Sequence, residues 1–237
     1  MAAQARRPTR ARRRRARGSI TPEEVIRGAF EVCAAETVDG LSMPRLAQHL
    51  DVGVTSIYWY FKSRDDLLDA LTEEAFRRFY AQMPPLEGRQ WDEVLIEFFR
   101  NFRSILIKDD VLCDLFVMRG GHYTDGTLQI SWERIEEIME ILLDAGFSEE
   151  SATYAYSTLS VYTRGCIVID RITRRGGVDT SINIPPRLGS ATSGLPREVQ
   201  MRSWAMSSDD NFAFGLENNI RGLRELLATE RKRTRAS

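Results

Sequence analysis

The residues best suited to chemistry lie in the run Gly53-Val54-Thr55-Ser56-Ile57-Tyr58-Trp59-Tyr60-Phe61-Lys62-Ser63-Arg64. Thr55, Ser56, Tyr58, Trp59 and Tyr60 offer short hydroxyls and flat rings over little more than one helical turn. Such groups hydrogen-bond base edges and pack against thymine methyls in a major groove. Lys62 and Arg64 follow where a phosphate strand would lie. Ile57 and Phe61 are spaced to point inward and anchor the segment. One or two of the three aromatics could instead be core, the usual place of large rings. Catalytic chemistry finds far less support. The chain has only two histidines, His49 and His122, no glycine-rich phosphate loop and no cluster with metal-ligand spacing. Nothing places its Ser, His and Asp residues as a nucleophile system. No enzyme activity, metal or cofactor is expected.

The elements that must position this run are legible on either side of it. Thr21-Pro22-Glu23-Glu24 sets an N-cap, a first-turn proline and a capping-box glutamate in order. Val25, Ile26, Ala29, Phe30 and Cys33 then form an apolar stripe at helical spacing, and Asp39-Gly40 signals a turn. Ser42 can cap a second, short helix, with Leu41 and Leu46 stapled across the cap and Ala47 and Leu50 inward. Asp51-Val52-Gly53 is a tight turn into a third helix over about 54–60. Two short helices joined by a glycine turn make a helix-turn-helix. A fourth helix starts behind Ser63 and runs to about Ala81, before Pro84-Pro85 and a linker through Glu87-Gly88.

The remainder reads as helical, over about 91–107, 111–118, 127–143 and 149–173. A loop rich in Gly, Ser and Pro follows at about 174–196, then a short helix near 197–206 and a last one over about 209–229. No strand alternation, internal repeat or heptad series stands out. The expected fold is all-α: an N-terminal three-helix helix-turn-helix DNA-binding domain over 20–66, and a helical ligand-binding and dimerisation domain over 67–232. Residues 1–19 form a disordered arm ahead of both.

Composition supports this division. With 43% hydrophobic residues in 237, the chain can bury a core. No apolar run approaches the roughly 20 residues that span a bilayer. The basic N-terminus has no apolar segment behind it, unlike a secretory signal, so a cytoplasmic protein without membrane contact is expected. Cys33, Cys113 and Cys166 sit in apolar helical surroundings and read as reduced, buried thiols. Net charge is only −1, yet residues 1–64 hold 12 Arg/Lys and 6 Asp/Glu, which leaves an acidic body. A basic end on an acidic body points to nucleic acid. The first 19 residues carry eight arginines and no acid, among them Arg12, Arg13, Arg14 and Arg15. These are expected on phosphates or in a narrow minor groove; a solubilising tail is the alternative.

Residues 20–80 resemble the N-terminal domain of the tetracycline-repressor (TetR-type) family. The resemblance rests on Asp39-Gly40-Leu41-Ser42, Leu46-Ala47-Gln48-His49-Leu50, Val52-Gly53-Val54, Ile57 through Arg64, and Leu67-Leu68-Asp69-Ala70-Leu71. It implies DNA contacts from Ser42 and Met43 and from Gly53, Val54, Thr55, Ser56, Tyr58, Trp59 and Tyr60. It implies backbone contacts from Lys62 and Arg64. Pro44 stands where the tetracycline repressor has a base-reading arginine, so a different operator sequence is implied. Trp91, Ala145-Gly146-Phe147-Ser148, Gly165-Cys166 and Phe214-Gly215-Leu216 carry the resemblance through the C-terminal half. They imply a homodimer paired through its eighth and last helices. In the last helix Phe212, Leu216, Ile220, Leu223 and Leu227 form a stripe near Gly215 and Gly222. This stripe is expected at the dimer interface; packing within one subunit is the alternative. Two reading heads on a twofold axis fit a palindromic operator with half-sites about one turn apart.

The same resemblance implies an effector pocket unlike that for tetracycline and magnesium. His122 matches the metal-binding histidine, but Asp125 replaces a threonine and Ile169 a glutamate. Phe98 replaces an asparagine, Tyr80 a histidine and Ile138 a glutamine; Phe102 keeps its type. Each lost polar partner costs roughly 1–3 kcal/mol. A pocket of Tyr80, Phe98, Phe102, Trp132, Ile138 and Ile169 suits a largely apolar or aromatic molecule, with His122 and Asp125 as a polar handle. For His122, metal ligation, a ligand hydrogen bond and a structural role stay open. The expected function is a sequence-specific repressor released by such a ligand, with the fourth helix as the moving part. An architectural DNA-binding protein, or a regulator without an inducer, is the rival.

Overall fold

The computed structural model describes residues 20–86, 90–119, 123–176 and 208–236, and only the backbone of 234–236. All regular structure among them is helical: α1 (Pro22–Ala35), α2 (Met43–Leu50), α3 (Val54–Tyr58), α4 (Arg64–Ala81), α5 (Trp91–Lys108), α6 (Asp110–Cys113), α7 (Asp125–Asp144), α8 (Glu149–Arg175) and α9 (Asp209–Ala236). A π-helical turn, Asp114–Met118, continues α6 directly. The chain divides into two compact units, Met1–Leu71 and Thr72–Ser237, and the division falls inside α4. The arginine arm and the segment over 177–207, with its expected short helix, lie outside the described residues.

In the first unit the caps form as the sequence requires. The Thr21 hydroxyl accepts from Glu24 N at 3.2 Å, and the Glu24 carboxylate accepts from Thr21 N at 3.0 Å. Ser63 and Asp66 repeat this exchange ahead of α4, at 3.0 and 3.2 Å. Each such cap stabilises its helix by about 1 kcal/mol. Behind them Val25, Ala29, Leu41, Leu46, Ile57, Leu67 and Leu71 close one core. α1 and α2 cross at Gly28, where a Cβ would sit 2.5 Å from Leu50 Cδ2.

The second unit packs α5 against α8, with α7 and α9 also packed on α8. Leu95, Phe98, Phe99, Phe102 and Leu106 make α5 apolar along its inner face. α8 carries buried Ala152, Ala155, Leu159, Thr163, Cys166 and Ile167. α9 meets α8 at Gly215: a Cβ there would lie 2.0 Å from the Tyr162 hydroxyl, which donates instead to Asn211 O and Phe212 O. Near the end of α8, Arg171 is buried on the α6 segment. It donates to both Asp114 oxygens at 2.8 Å and to Asp110 at 2.7 Å. Arg174 adds a bond to Asp110 and Arg175 one to Asp114. Cys33, Cys113 and Cys166 are buried free thiols.

Three boundaries differ from expectation, the first being α9, which runs on to Ala236 rather than ending near 229. α3 stops at Tyr58, because the chain must turn before Ser63 to start α4; Trp59 and Tyr60 lie in that turn. The expected helix over 111–118 is a single α-turn followed by the π-turn, whose wider ring places Asp114, Leu115 and Phe116 all in the core.

Candidate functional site

Two sites emerge, one in each unit. The first is the exposed face of the helix-turn-helix. Ile57 is fully buried, so α3 is fastened from behind and turns its other side outward. Thr55 is exposed, Tyr58 is 43% exposed and Trp59 is 77% exposed, while Ser42, Gly53, Val54 and Ser56 are partly so. Lys62 is exposed and donates to Trp59 O at 3.4 Å. Asp51 takes a left-handed backbone (φ 55°), which asparagine and aspartate tolerate best after glycine, and so turns the chain from α2 into α3.

Three expected contact residues have other duties. Met43 is 3% exposed: it packs into the core beneath the first turn of α2 and cannot reach a base. The Arg64 guanidinium is committed to three carbonyls, Leu41 O at 2.7 Å, Val38 O at 3.1 Å and Asp39 O at 3.3 Å. It ties the start of α4 to the α1–α2 connection rather than standing free for phosphate. The Tyr60 hydroxyl donates to Ile20 O at 2.8 Å, which leaves only its ring edge outward. That bond holds Ile20 beside the end of α3; Arg12, Arg13, Arg14 and Arg15 lie outside the described residues. Arg45 and Gln48 were missed. Both are exposed on α2, and Arg45 reaches Glu36 and Gln48. The amphipathic period of α2 was the signal that could have found them.

The second site is a cluster of aromatic rings. α4 contributes Phe76, Phe79 and Tyr80, α5 contributes Phe98, Phe99 and Phe102, and the π-turn contributes Phe116. Phe116 is the hub: its centroid lies 4.0 Å from Phe76, 4.5 Å from Phe79 and 5.6 Å from Phe102. Tyr123 and Tyr156 reach the edges, on Phe76 and Phe99. The Arg164 guanidinium sits over two of the rings, 5.2 Å from each of Phe102 and Phe116. Burial pushes the Tyr80 phenol above its ordinary value, against the pull of the Ser131 hydroxyl and the Arg164 and Arg134 charges. Burial pushes Tyr156 up to about 12. Both phenols are therefore neutral donors at neutral pH.

Of the expected pocket residues, the structure gathers Tyr80, Phe98 and Phe102 here, and Ile138 is fully buried on α7. Asp125, Trp132 and Ile169 are exposed, and Trp132 makes no ring contact with the cluster among the described residues. Trp132 faces a surface groove with Leu128 and Glu136, because α7 turns its apolar side, through Thr127, Ile138 and Leu142, the other way. His122 lies outside the described residues. Phe76, Phe79, Phe116, Tyr156 and Arg164 were not anticipated. The spacing of Phe76, Phe79 and Tyr80 along one helix was a readable signal; Arg164 had none.

The expected dimer stripe is also corrected. Phe212, Leu216 and Ile220 are buried within the protomer, with Arg103 5.0 Å over the Phe212 ring. The close approach of α9 to α8 and α5 consumes that face. Leu227 is buried too, so Leu223 alone of the five is partly open, on a groove of about 340 Å³ with Tyr154, Thr158, Gly222 and Leu226.

Comparison with known proteins decides the family. Residues 25–71 match the model described as bacterial regulatory proteins, tetR family, and residues 84–227 match the tetracyclin repressor-like C-terminal domain. The chain belongs to the TetR family. It is 39% identical over 212 residues to the HTH-type transcriptional repressor Rv1353c of Mycobacterium tuberculosis H37Rv, covering 87% of this chain and 81% of that one. It is 27% identical over 209 residues to the tetracycline repressor protein class D of Escherichia coli, covering 86% and 88%. The Streptomyces coelicolor TetR family protein ActR, solved in complex with actinorhodin, superposes with a TM-score of 0.63 at 25% identity, covering 89% of this chain and 99% of that one. As a TetR-family member the chain is a DNA-binding transcriptional regulator with an N-terminal helix-turn-helix. No helix among its described residues is long and apolar enough to cross a membrane.

Proposed function

We propose that the chain is a homodimeric repressor that leaves a palindromic operator when a small, ring-bearing molecule enters the aromatic cluster. The observation that carries DNA reading is Trp59: a large apolar ring held 77% exposed beside Tyr58, in the turn that closes a helix anchored by a fully buried Ile57. Adjacent exposed rings, Tyr58 and Trp59, rimmed by polar groups mark an interaction surface. Ser42, Gly53, Val54 and Ser56 would complete the base-reading face, Lys62 would hold phosphate, and the exposed Arg45 and Gln48 of α2 would join them.

Dimerisation is supported by α8 and α9. Val161 is 71% and Phe214 72% exposed, and Tyr154 and Leu226 are exposed too. A Cβ at Gly165 or Gly222 would meet nothing, so a partner's backbone has room at both. Repression is supported by the name of the 39%-identical mycobacterial relative. Effector binding is supported by the ring cluster and by the ActR complex with actinorhodin. α4 starts at Arg64 and carries Phe76, Phe79 and Tyr80 in its later turns, so a shift of its far end can be felt at its start. The ligand would act through its differential affinity for the two arrangements.

The test is selection of bound duplexes from a random library, followed by fluorescence anisotropy. A palindrome with half-sites one turn apart is expected, and Trp59→Ala should lose about tenfold or more in affinity with an unchanged Tm. Equal binding to all duplexes at physiological salt, by a protein that sediments as a monomer, refutes the proposal and favours an architectural role.

A further inference from the structure

We propose that the effector is an aromatic anion, a planar ring system bearing one ionised oxygen acid, which pairs with Arg164. This rests on the effector reading above and specifies its chemistry.

The argument begins with the arginines of α8. Arg171, Arg174 and Arg175 are each paired with carboxylates: Asp114, Asp110 and Asp170. Arg164, two turns earlier on the same helix, has no carboxylate partner among the described residues. Its Nε donates to Ser160 Oγ at 3.3 Å, and its terminal nitrogens have no acceptor there. It is only partly exposed, and its guanidinium lies over Phe102 and Phe116. A guanidinium lodged on rings keeps its N–H edges free to donate in plane, in the fork geometry that fits a carboxylate. Placing a cation there without its counter-charge is costly unless something supplies that charge.

The surroundings agree. Against burial and Tyr123, Arg164 and Arg134 both pull the Tyr80 phenol down, and against burial, Tyr80 and Tyr123, Arg164 does the same to Tyr156. The two phenols stay protonated, so they can donate to an acid group and do not compete for the guanidinium. Arg134 is already engaged by Glu137 at 2.8 Å, which leaves Arg164 as the free cation of the pair. Phe76, Phe102 and Phe116 are buried against one another, so they would have to part to receive the body of the molecule, with Arg164 as the handle for its acid.

The experiment is isothermal titration of the full-length protein with anthraquinone-2-carboxylate and, separately, with anthraquinone-2-carboxamide at pH 7.5. The two probes share shape and differ in charge. Wild type is expected to bind the carboxylate about tenfold or more tightly, the scale of a charge-assisted hydrogen bond. Arg164→Gln should bind both alike, while Arg164→Lys should keep part of the preference. Helical circular dichroism checks that each variant is folded, and the ratio of the two affinities is a readout that a purely structural role would leave alone. Equal affinities in wild type, or a preference that survives Arg164→Gln, overturns the assignment of the anion and leaves a ring-binding pocket standing. Absence of binding by either probe overturns both.

Discussion

Asp114 offers the sharpest energetic test of the second unit. Its carboxylate is 4% exposed and takes two bonds from Arg171, itself 5% exposed, and one from Arg175. Asp114→Ala leaves the Arg171 charge buried with Asp110 alone. Removing one partner of a buried pair costs about 3–5 kcal/mol, and the surviving, half-exposed Asp110 argues for the lower end. About 3 kcal/mol in a chain of this size lowers Tm by roughly 6–12 °C. Replacing both partners together, Asp114→Leu with Arg171→Met, removes the stranded charge and should recover most of the loss. Differential scanning calorimetry of wild type, Asp114→Leu, Arg171→Met and the double variant measures the coupling directly, with Asp114→Ala alongside. Asp114 also begins the π-turn that carries Phe116, so the single variant should weaken ring-probe binding as well. A fall of less than about 1 kcal/mol for Asp114→Ala, or a double variant no better than the single, would refute the reasoning.

Other outcomes follow from the same structure. Deleting residues 1–19 removes eight arginines; affinity for DNA should drop and the slope of log K against log salt should flatten by about 0.9 per lost phosphate contact, while base preference survives. An unchanged slope would show that the arm touches no phosphate. Gly215→Ala drives a Cβ against the Tyr162 hydroxyl and should cost about 1–3 kcal/mol of protomer stability, whereas Gly222→Leu, placed in open space, should leave the protomer folded but weaken the dimer in sedimentation velocity. The Cys113 thiol, pushed up to about 12 by burial, should resist alkylation at pH 8 until the protein is unfolded. Its folded value lies above the unfolded one near 9, so the native state holds the extra proton and stability should fall as pH rises from about 9 to about 12.

A TetR-type scaffold keeps its reading head through short-range signals. On the proposed reading, its effector chemistry would depend on which side chains from α4, α5, α8 and the π-turn meet at one place.

Much of this protein was legible in its residue order because the deciding interactions are local. The Thr21–Glu24 box and the Ser42 cap each span three residues, and the Asp51-Val52-Gly53 turn is as short, so their types and spacing suffice. The all-helical class and the exposed Tyr58-Trp59 face were readable for the same reason. Tertiary packing decided the rest. Met43, Arg64 and the Tyr60 hydroxyl were claimed by the core and by carbonyls 23, 26, 25 and 40 positions away, partners that no helical period reveals. On α9, Phe212 and Phe214 look alike in sequence, and only the approach to α8 at Gly215 determined that Phe212 is buried and Phe214 exposed. Arg164 reads as one more helical arginine until the fold sets it over Phe102 and Phe116 and away from every described carboxylate. A long-range contact depends on where two distant segments are brought together, and that is a property of the packed chain rather than of either segment.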